Sequence, residues 1–356
     1  MEEEVQVSVV IPAYNAQDTL EDAVLSVLEQ TFSNLEVIVV DDGSTDNTPA
    51  AADALSAQDS RVRVLHKQNG GVSAARNDGI RLAKGIWLVT LDDDDYLDSR
   101  MIEQLYEAAV YRKADLSLCG IRLVYPEKKA EVFRPQTAIT ADRETFVNLL
   151  FTDLYDRHLI STHSNKLYNL AIIRKFGIYY DTSLSINEDL LFCLQYMRFC
   201  DSIAVIRGAY MNYVQHAVGE SLITTFREDG LWSCFKVLEA CNALFESVKP
   251  EKEPVNEMNN RMLMHICSFL GLMYYRSDYE KAKEKEVLSQ LCQREDFQHL
   301  LSQTAPVGLK NKAAHFLLQH RFTDAYDALC RLLYLGKREK ESRTSKEMRV
   351  QDGETK

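Results

Sequence analysis

Asp92, Asp93, Asp94 and Asp95 stand side by side, directly after the apolar run Ile86-Trp87-Leu88-Val89-Thr90-Leu91. An isolated acidic run is usually a solvated turn, but four adjacent carboxylates repel one another more than any turn requires. Oxygen-only ligands of this kind favour a hard divalent cation such as magnesium or manganese. The position at the end of an apolar strand favours a site, because ligands of open α/β sheets bind outside the carboxyl ends of the strands. A cation held there needs a substrate with anionic oxygens of its own, and a nucleotide diphosphate is the common biological choice. Four further features supply what such a ligand lacks. Tyr14 can stack on a base, Asp42 can accept from a base N–H, Gly70-Gly71 lets backbone approach closely, and Arg76 can offset diphosphate charge. Each has a plain alternative: Tyr14 facing the core, Asp42 capping a turn, Arg76 a surface cation.

The elements that would position these residues repeat. Val5 to Ile11 is an apolar, β-branched run ended by Pro12-Ala13-Tyr14-Asn15, with Asn15 as a helix cap and Leu20, Val24, Val27 and Leu28 at helical spacing. Leu35 to Val40 is a second strand closed by Asp41-Asp42-Gly43-Ser44, with Thr48-Pro49 as the next helix start. Val62 to Leu65 is a third, followed by Lys67-Gln68-Asn69-Gly70-Gly71 and a short helix; Ile86 to Leu91 is the fourth. Strands alternating with helices at these intervals predict βαβ units in a mainly parallel sheet flanked by helices. Every strand then delivers its polar loop to one rim, so Tyr14, Asp42, Asn69 and the acidic run converge.

Beyond the run, the spacing predicts a helix over 101–112, a strand over 115–124, a charged connection from Pro126 to Pro135 and a helix over 146–154. A short segment begins at Asn165-Lys166-Leu167-Tyr168. Asn187-Glu188-Asp189 reads as a helix start, with Asn187 capping and two carboxylates in the first turn. Strands are expected over 203–206 and 210–213. From Phe226 apolar residues recur three and four apart, giving an α-helical C-terminal appendage. The organisation expected is residues 1–220 (halves 1–98 and 99–220), a helical region over 221–338 and a disordered polar tail over 339–356.

Composition narrows the class. The chain has 356 residues, 46% of them apolar, and a formal charge of −12, which argues against a nucleic-acid partner. The acidic start Met1-Glu2-Glu3-Glu4 is unlike a signal peptide, and no run approaches the roughly 20 apolar residues of a membrane span. Eight scattered cysteines without a C-x-x-C pair read as reduced, buried thiols. The expectation is a cytoplasmic protein. Peripheral contact with the inner face of the membrane is left to Lys310, Lys312, Arg321 and the stretch from Arg331 to Lys340, interleaved with Phe316 and Leu332. The helical region is also the natural face for a homo-oligomer.

Four segments together resemble the family 2 glycosyltransferases: Val9-Val10-Ile11-Pro12-Ala13-Tyr14-Asn15, Val39-Val40-Asp41-Asp42-Gly43-Ser44-Thr45-Asp46, Asn69-Gly70-Gly71-Val72-Ser73-Ala74-Ala75-Arg76-Asn77 and Leu91-Asp92-Asp93-Asp94-Asp95-Tyr96. They stand in the family's order, and the resemblance covers about the first 220 residues. It implies a Rossmann-like GT-A fold and an inverting transfer from a nucleotide-sugar, usually a UDP-sugar, to a glycan, lipid-linked or protein acceptor. Pro12, Tyr14, Asp42, Asn69, Gly71, Arg76, Asp92 and Asp93 would then bind the donor, with Asp94 the ligand of a Mn2+ or Mg2+ ion. Glu188-Asp189 resembles the family's E-D pair, whose Asp is the catalytic base; the residues alone suggest helix-dipole complementation instead. Lys166 resembles a family segment on the acceptor or diphosphate side. His216 stands where relatives carry a basic residue near the diphosphate. The processive members' Q-x-x-R-W segment is missing, which implies addition of single sugars. Two other readings compete. A sugar nucleotidyltransferase would want a glycine-rich basic loop where Pro12-Ala13-Tyr14-Asn15-Ala16 stands, and an inactive nucleotide- or glycan-binding module would not need intact Asp42, Asp94 and Asp189.

Overall fold

The computed structural model describes residues 4–215, 226–276, 279–306 and 309–334; His216 and the polar tail expected over 339–356 lie outside them. The first compact unit comprises Met1–Val218 and Glu239–Pro254. It opens with β1 (Val7–Ala13), α1 (Leu20–Leu28), β2 (Leu35–Asp41), α2 (Thr48–Gln58), β3 (Val62–His66), α3 (Val72–Leu82) and β4 (Trp87–Thr90). Every residue of β1 and β2 is buried, as a strand covered on both faces requires. Helix α1 turns Leu20, Ala23, Val24 and Val27 inward, a stripe at three- and four-residue spacing.

The unit continues through β5 (Tyr96–Leu97), α4 (Met101–Tyr111), β6 (Leu116–Val124), β7 (Glu131–Phe133), β8 (Ile139–Asp142), α5 (Arg143–Leu149), α6 (Phe151–Asp156), β9 (Lys166–Asn169), α7 (Leu170–Phe176), α8 (Glu188–Met197) and β10 (Ser202–Val214). The sheet runs β3-β2-β1-β4-β9-β6-β10-β5, with β7 beside β6 and β8 beside β10. β1 to β4 are mutually parallel, β9 is antiparallel to both its neighbours, and β6 and β10 are parallel again. The order β3-β2-β1-β4 sends the loops after β1, β2, β3 and β4 to one rim.

Several local expectations give way. Asn15 does not cap α1; its Oδ1 accepts from the Thr45 amide at 2.8 Å, and the helix starts at Leu20. Asn187 has a left-handed φ of 67° and makes no side-chain cap bond. The charged connection contains β7, the helix expected over 146–154 is the pair α5 and α6, and the segment at Lys166 is strand β9. The two strands near 203 and 210 are one strand, β10, with register shifts between Val205 and Ala209 and between Ala209 and Met211.

The described residues of the second unit, Gly219–Leu238 with Val255–Lys356, are mainly helical. Helix α9 (Glu228–Val248) begins in it, followed by α10 (Lys252–Arg276), α11 (Lys281–Gln293), α12 (Glu295–Ser302), α13 (Leu309–Gln319) and a helix over residues 323–334. Phe235 packs edge-on against Phe297. Arg331, expected in a basic surface stretch, instead bonds the buried Glu284 at 2.6 Å and Asp327 at 2.8 Å.

Candidate active site

The rim is tied together by its own polar groups. Asp42, at the end of β2, is buried, and its carboxylate accepts from the Gly70 amide at 2.9 Å, the Gly71 amide at 2.7 Å and Lys67 Nζ at 2.7 Å. The loops after β2 and β3 close on each other so tightly that a Cβ at Gly43 would meet the Asn69 amide nitrogen at 2.8 Å, and Gly43 has φ +74°. Asp41 turns the other way, accepting from the Ser44 amide at 3.0 Å and facing His66 Nδ1 at 2.9 Å. Pro12 is buried inside β1 opposite Val40, whereas Asn69 is exposed. Tyr14 is 51% exposed, free of the core, and its amide donates to Asp93 Oδ2 at 3.1 Å.

The acidic run divides into distinct environments. Asp95 turns inward at 2% exposure; its Oδ1 accepts from the Val214 amide at 2.8 Å, and its buried Oδ2 has no hydrogen-bond partner among the described residues. Burial and then the charges of Asp92 and Asp94 push its carboxyl well up. Burial, opposed by the Tyr14 amide and reinforced by Asp94 and Asp92, pushes Asp93 up to about 7. Burial also works against an ionised Asp92, but Arg76 and His163 outweigh it and hold that carboxyl far below the usual range.

The cause is a network that crosses the sheet. Arg76, in the first turns of α3, is 3% exposed. Its Nη2 donates to Asp92 Oδ1 at 2.7 Å, and its Nη1 to Asp189 Oδ1 at 2.9 Å and Glu188 Oε1 at 3.3 Å. Its guanidinium carbon lies 5.1 Å from the centre of the Tyr180 ring. The guanidinium expected to offset diphosphate charge is therefore consumed by three carboxylates, because buried charges must be paired. Glu188 and Asp189 open α8, where the helix dipole favours them, and the same pair meets Asp92 across one shared cation. For Glu188, burial and the adjacent Asp189 charge raise the carboxyl despite Arg76.

Lys166 opens β9, which runs antiparallel to β4. It is fully buried in β9, with Nζ donating to the carbonyls of Leu159 at 2.7 Å, Ile160 at 3.3 Å and Thr162, and to Asn165 Oδ1 at 2.8 Å. The ammonium expected on the acceptor or diphosphate side spends its donors on the acceptors that enclose it. Three residues went unsingled in the sequence. Lys67 sits on Asp42, and Tyr213 lies in the field of Asp95, Asp92, Asp189 and Asp94, which with burial raises its phenol. His163 contacts Asp92 through Nε2 at 3.3 Å. A lone histidine carries no spacing signal, although Lys67 lies within the loop already read as a binding loop.

Among the described residues no three His, Cys, Asp or Glu side chains gather in metal-holding geometry. The rim carboxylates fit a cation that takes one or two protein ligands and completes its shell with phosphate oxygens and water, as magnesium commonly does. Asp94, partly buried between Asp93 and Asp95, is the ligand candidate.

Residues 8–177 match the domain described as Glycosyl transferase family 2. The uncharacterized glycosyltransferase EpsJ of Bacillus subtilis is 29% identical over 206 residues, 58% of this chain and 60% of that protein, so the match spans less than two thirds of that relative. Among solved structures, TarS 1–349 of S. aureus in complex with UDP-GlcNAc matches with a TM-score of 0.68 at 19% identity, covering 93% of this chain and 92% of that one. The mannosyltransferase PcManGT of Pyrobaculum calidifontis, in complex with GDP-Man and Mn2+, matches with a TM-score of 0.52 at 14% identity, over 93% and 87%. These likenesses are of fold, a mostly parallel sheet flanked by helices of the GT-A kind. Residues 8–177, just under half of the chain, carry the match to glycosyl transferase family 2.

Proposed function

We propose that the protein transfers one sugar, with inversion, from a nucleotide-sugar to a hydroxyl of a cell-surface glycan, lipid-linked oligosaccharide or glycoprotein. A UDP-sugar is the favoured donor, in keeping with the UDP-GlcNAc bound by TarS. The observation that carries the reading is the meeting of Asp92, from the loop after β4, with Asp189, from the start of α8, on the one guanidinium of Arg76. It joins the donor loop to a carboxylate suited to the acceptor.

In the proposed reaction the acceptor oxygen bonds to the anomeric carbon as the bond to the diphosphate oxygen breaks. That oxygen keeps the electron pair, and the acceptor proton passes to Asp189. An ordinary Asp is a weak base towards an alcohol, but it suffices when proton transfer is late. Tyr14 is the exposed platform for the base. Asp42, fixed by two amides and Lys67, presents its remaining lone pairs to the base edge. Asp94 would hold a Mn2+ or Mg2+ ion, which when bound neutralises charge on the leaving diphosphate; PcManGT, of the same fold, was solved with Mn2+. His216 on the diphosphate side is part of the reading, though outside the described residues.

The test is a donor screen over UDP-, GDP- and dTDP-sugars, with manganese and with chelator. Asp189→Asn keeps an acceptor atom for Arg76 and is expected to retain donor binding while transfer is lost. Asp94→Ala is expected to weaken metal-dependent donor binding. Transfer at the parent rate by Asp189→Asn would overturn the assignment of the base.

For localisation the reading is cytoplasmic, with peripheral contact at the membrane's inner face. No helix among the described residues is long and apolar enough to cross a membrane. In the helical unit Phe316 and Phe322 are each 52% exposed and interleave in sequence with the exposed Lys312 and Arg321, the composition of an interfacial patch. Flotation with anionic liposomes tests this, and absence of retention rejects it.

A further inference from the structure

We propose that His163 is a positioning residue for the transfer reaction, fixing the carboxylate oxygen of Asp189 that receives the acceptor proton. This rests on the reading of Asp189 as the base.

The ring is buried and held from behind. Thr90 Oγ1, at the end of β4, and the Tyr180 hydroxyl each lie 2.8 Å from Nδ1, and the Tyr180 ring stands edge-on at 83°. Nε2 consequently points at two carboxylates, 3.3 Å from Asp92 Oδ2 and 3.6 Å from Asp189 Oδ2. Ionised carboxylate oxygens only accept, so Nε2 carries the hydrogen that faces them. A histidine serving the core alone would spend its N–H on a carbonyl.

Arg76 and His163 divide the work by atom. Arg76 takes Oδ1 of both Asp92 and Asp189, and His163 faces Oδ2 of both. Asp92 is thus held at both oxygens, and Asp189 at Oδ1 with the imidazole facing its Oδ2. The distance of 3.6 Å to Asp189 exceeds a hydrogen bond, so His163 orients Oδ2 without occupying its lone pair. The oxygen engaged directly by Arg76 is the poorer base, which leaves Oδ2 to accept the proton.

Two substitutions separate the ring's ends. His163→Gln places an amide N–H near Nε2 and keeps the orienting donor, whereas His163→Asn reaches only the Nδ1 position and keeps the contact with Thr90 and Tyr180. With thermal unfolding used to establish equal folded fractions, His163→Asn should lower kcat by about 10- to 100-fold with donor KM within about threefold of the parent. His163→Gln should recover kcat to within about fivefold. In the Asp189→Asn background His163→Asn should add nothing further.

Parental kcat in both variants, equal losses in both, or a rise in donor KM matching the fall in kcat would overturn the inference. Where His163→Asn fails to fold, a kcat for His163→Gln below about a fifth of the parent's overturns it as well. The base assignment fails separately: it falls if Asp189→Asn transfers sugar normally, whereas an impaired Asp189→Asn beside a silent His163→Asn removes only the role given to His163.

Discussion

Arg76 and Asp189 are separated by 113 positions in the chain and meet at 2.9 Å, Nη1 to Oδ1, while the other arm of the same guanidinium holds Asp92 at 2.7 Å. A planar fork spans two carboxylates from different elements in one fixed geometry, which the point-like ammonium of a lysine does not reproduce. Arg76→Lys should keep the charge yet let Asp92 and Asp189 drift, lowering transfer by about 100-fold. Arg76→Met removes the cation from three carboxylates and should cost about 3–5 kcal/mol of stability in denaturant unfolding. A parental rate for Arg76→Lys would mean that the fork has no functional part.

Lys166 makes the opposite prediction. Its Nζ satisfies the carbonyls of Leu159, Ile160 and Thr162 from a fully buried position. Lys166→Met fills similar volume but strands those acceptors, at a cost of about 1–3 kcal/mol or more. Steady-state kinetics of the folded fraction should show donor KM within about threefold of the parent. A large selective rise in donor KM with unchanged stability would return Lys166 to the substrate.

The first four strands were legible because β1, β2 and β4 are buried on both faces and so read as unbroken apolar runs, each closed by a polar loop. The rim was legible for the same reason: parallel strands send their following loops to one edge. What failed was local chemistry redirected by tertiary contact. Asn15 has the composition of a helix cap, but the loop after β2 claims its side chain. Asn165 and Lys166 look like loop residues, yet Asn165 is spent on the Cys119 carbonyl and Lys166 on the carbonyls beside it, so β9 pairs unseen between β4 and β6. The gap expected between the strands over 203–206 and 210–213 is only a shift of register within β10. His163 gave no signal at all, because nothing in its neighbourhood records that Thr90, Tyr180 and Asp92 will surround it.

The thiols yield a reactivity prediction. All eight cysteines are free; Cys267 is partly buried and the rest are buried. Burial pushes Cys119, Cys234, Cys241 and Cys267 up to about 12 and Cys292 up to about 11. Only the thiolate attacks, and at pH 8 these groups hold roughly a thousandth or less of it. A chromogenic disulfide reagent should titrate almost no thiol in the native protein and eight after denaturation. Rapid native reaction of several thiols would contradict the packing.

Asp95 and Asp94 are neighbours of identical chemistry, the first buried and the second partly exposed, and conservative substitution should tell them apart. Asp95 Oδ1 anchors the amide of Val214 at 2.8 Å, tethering the end of β10, and with it Tyr213, beside the acidic run. Asp95→Asn preserves that acceptor and should change stability by less than about 1 kcal/mol, whereas Asp95→Ala strands the amide and should cost about 1–3 kcal/mol. Neither should alter the metal concentration needed for half-maximal donor binding by more than about threefold, since the side chain is turned into the protein. Thermal unfolding and a manganese titration of donor binding check both. If Asp95→Asn shifted the manganese midpoint as strongly as Asp94→Ala, the inward aspartate would have to rotate into the site when donor and cation arrive, and the division of the run into an anchoring and a ligating carboxylate would be wrong.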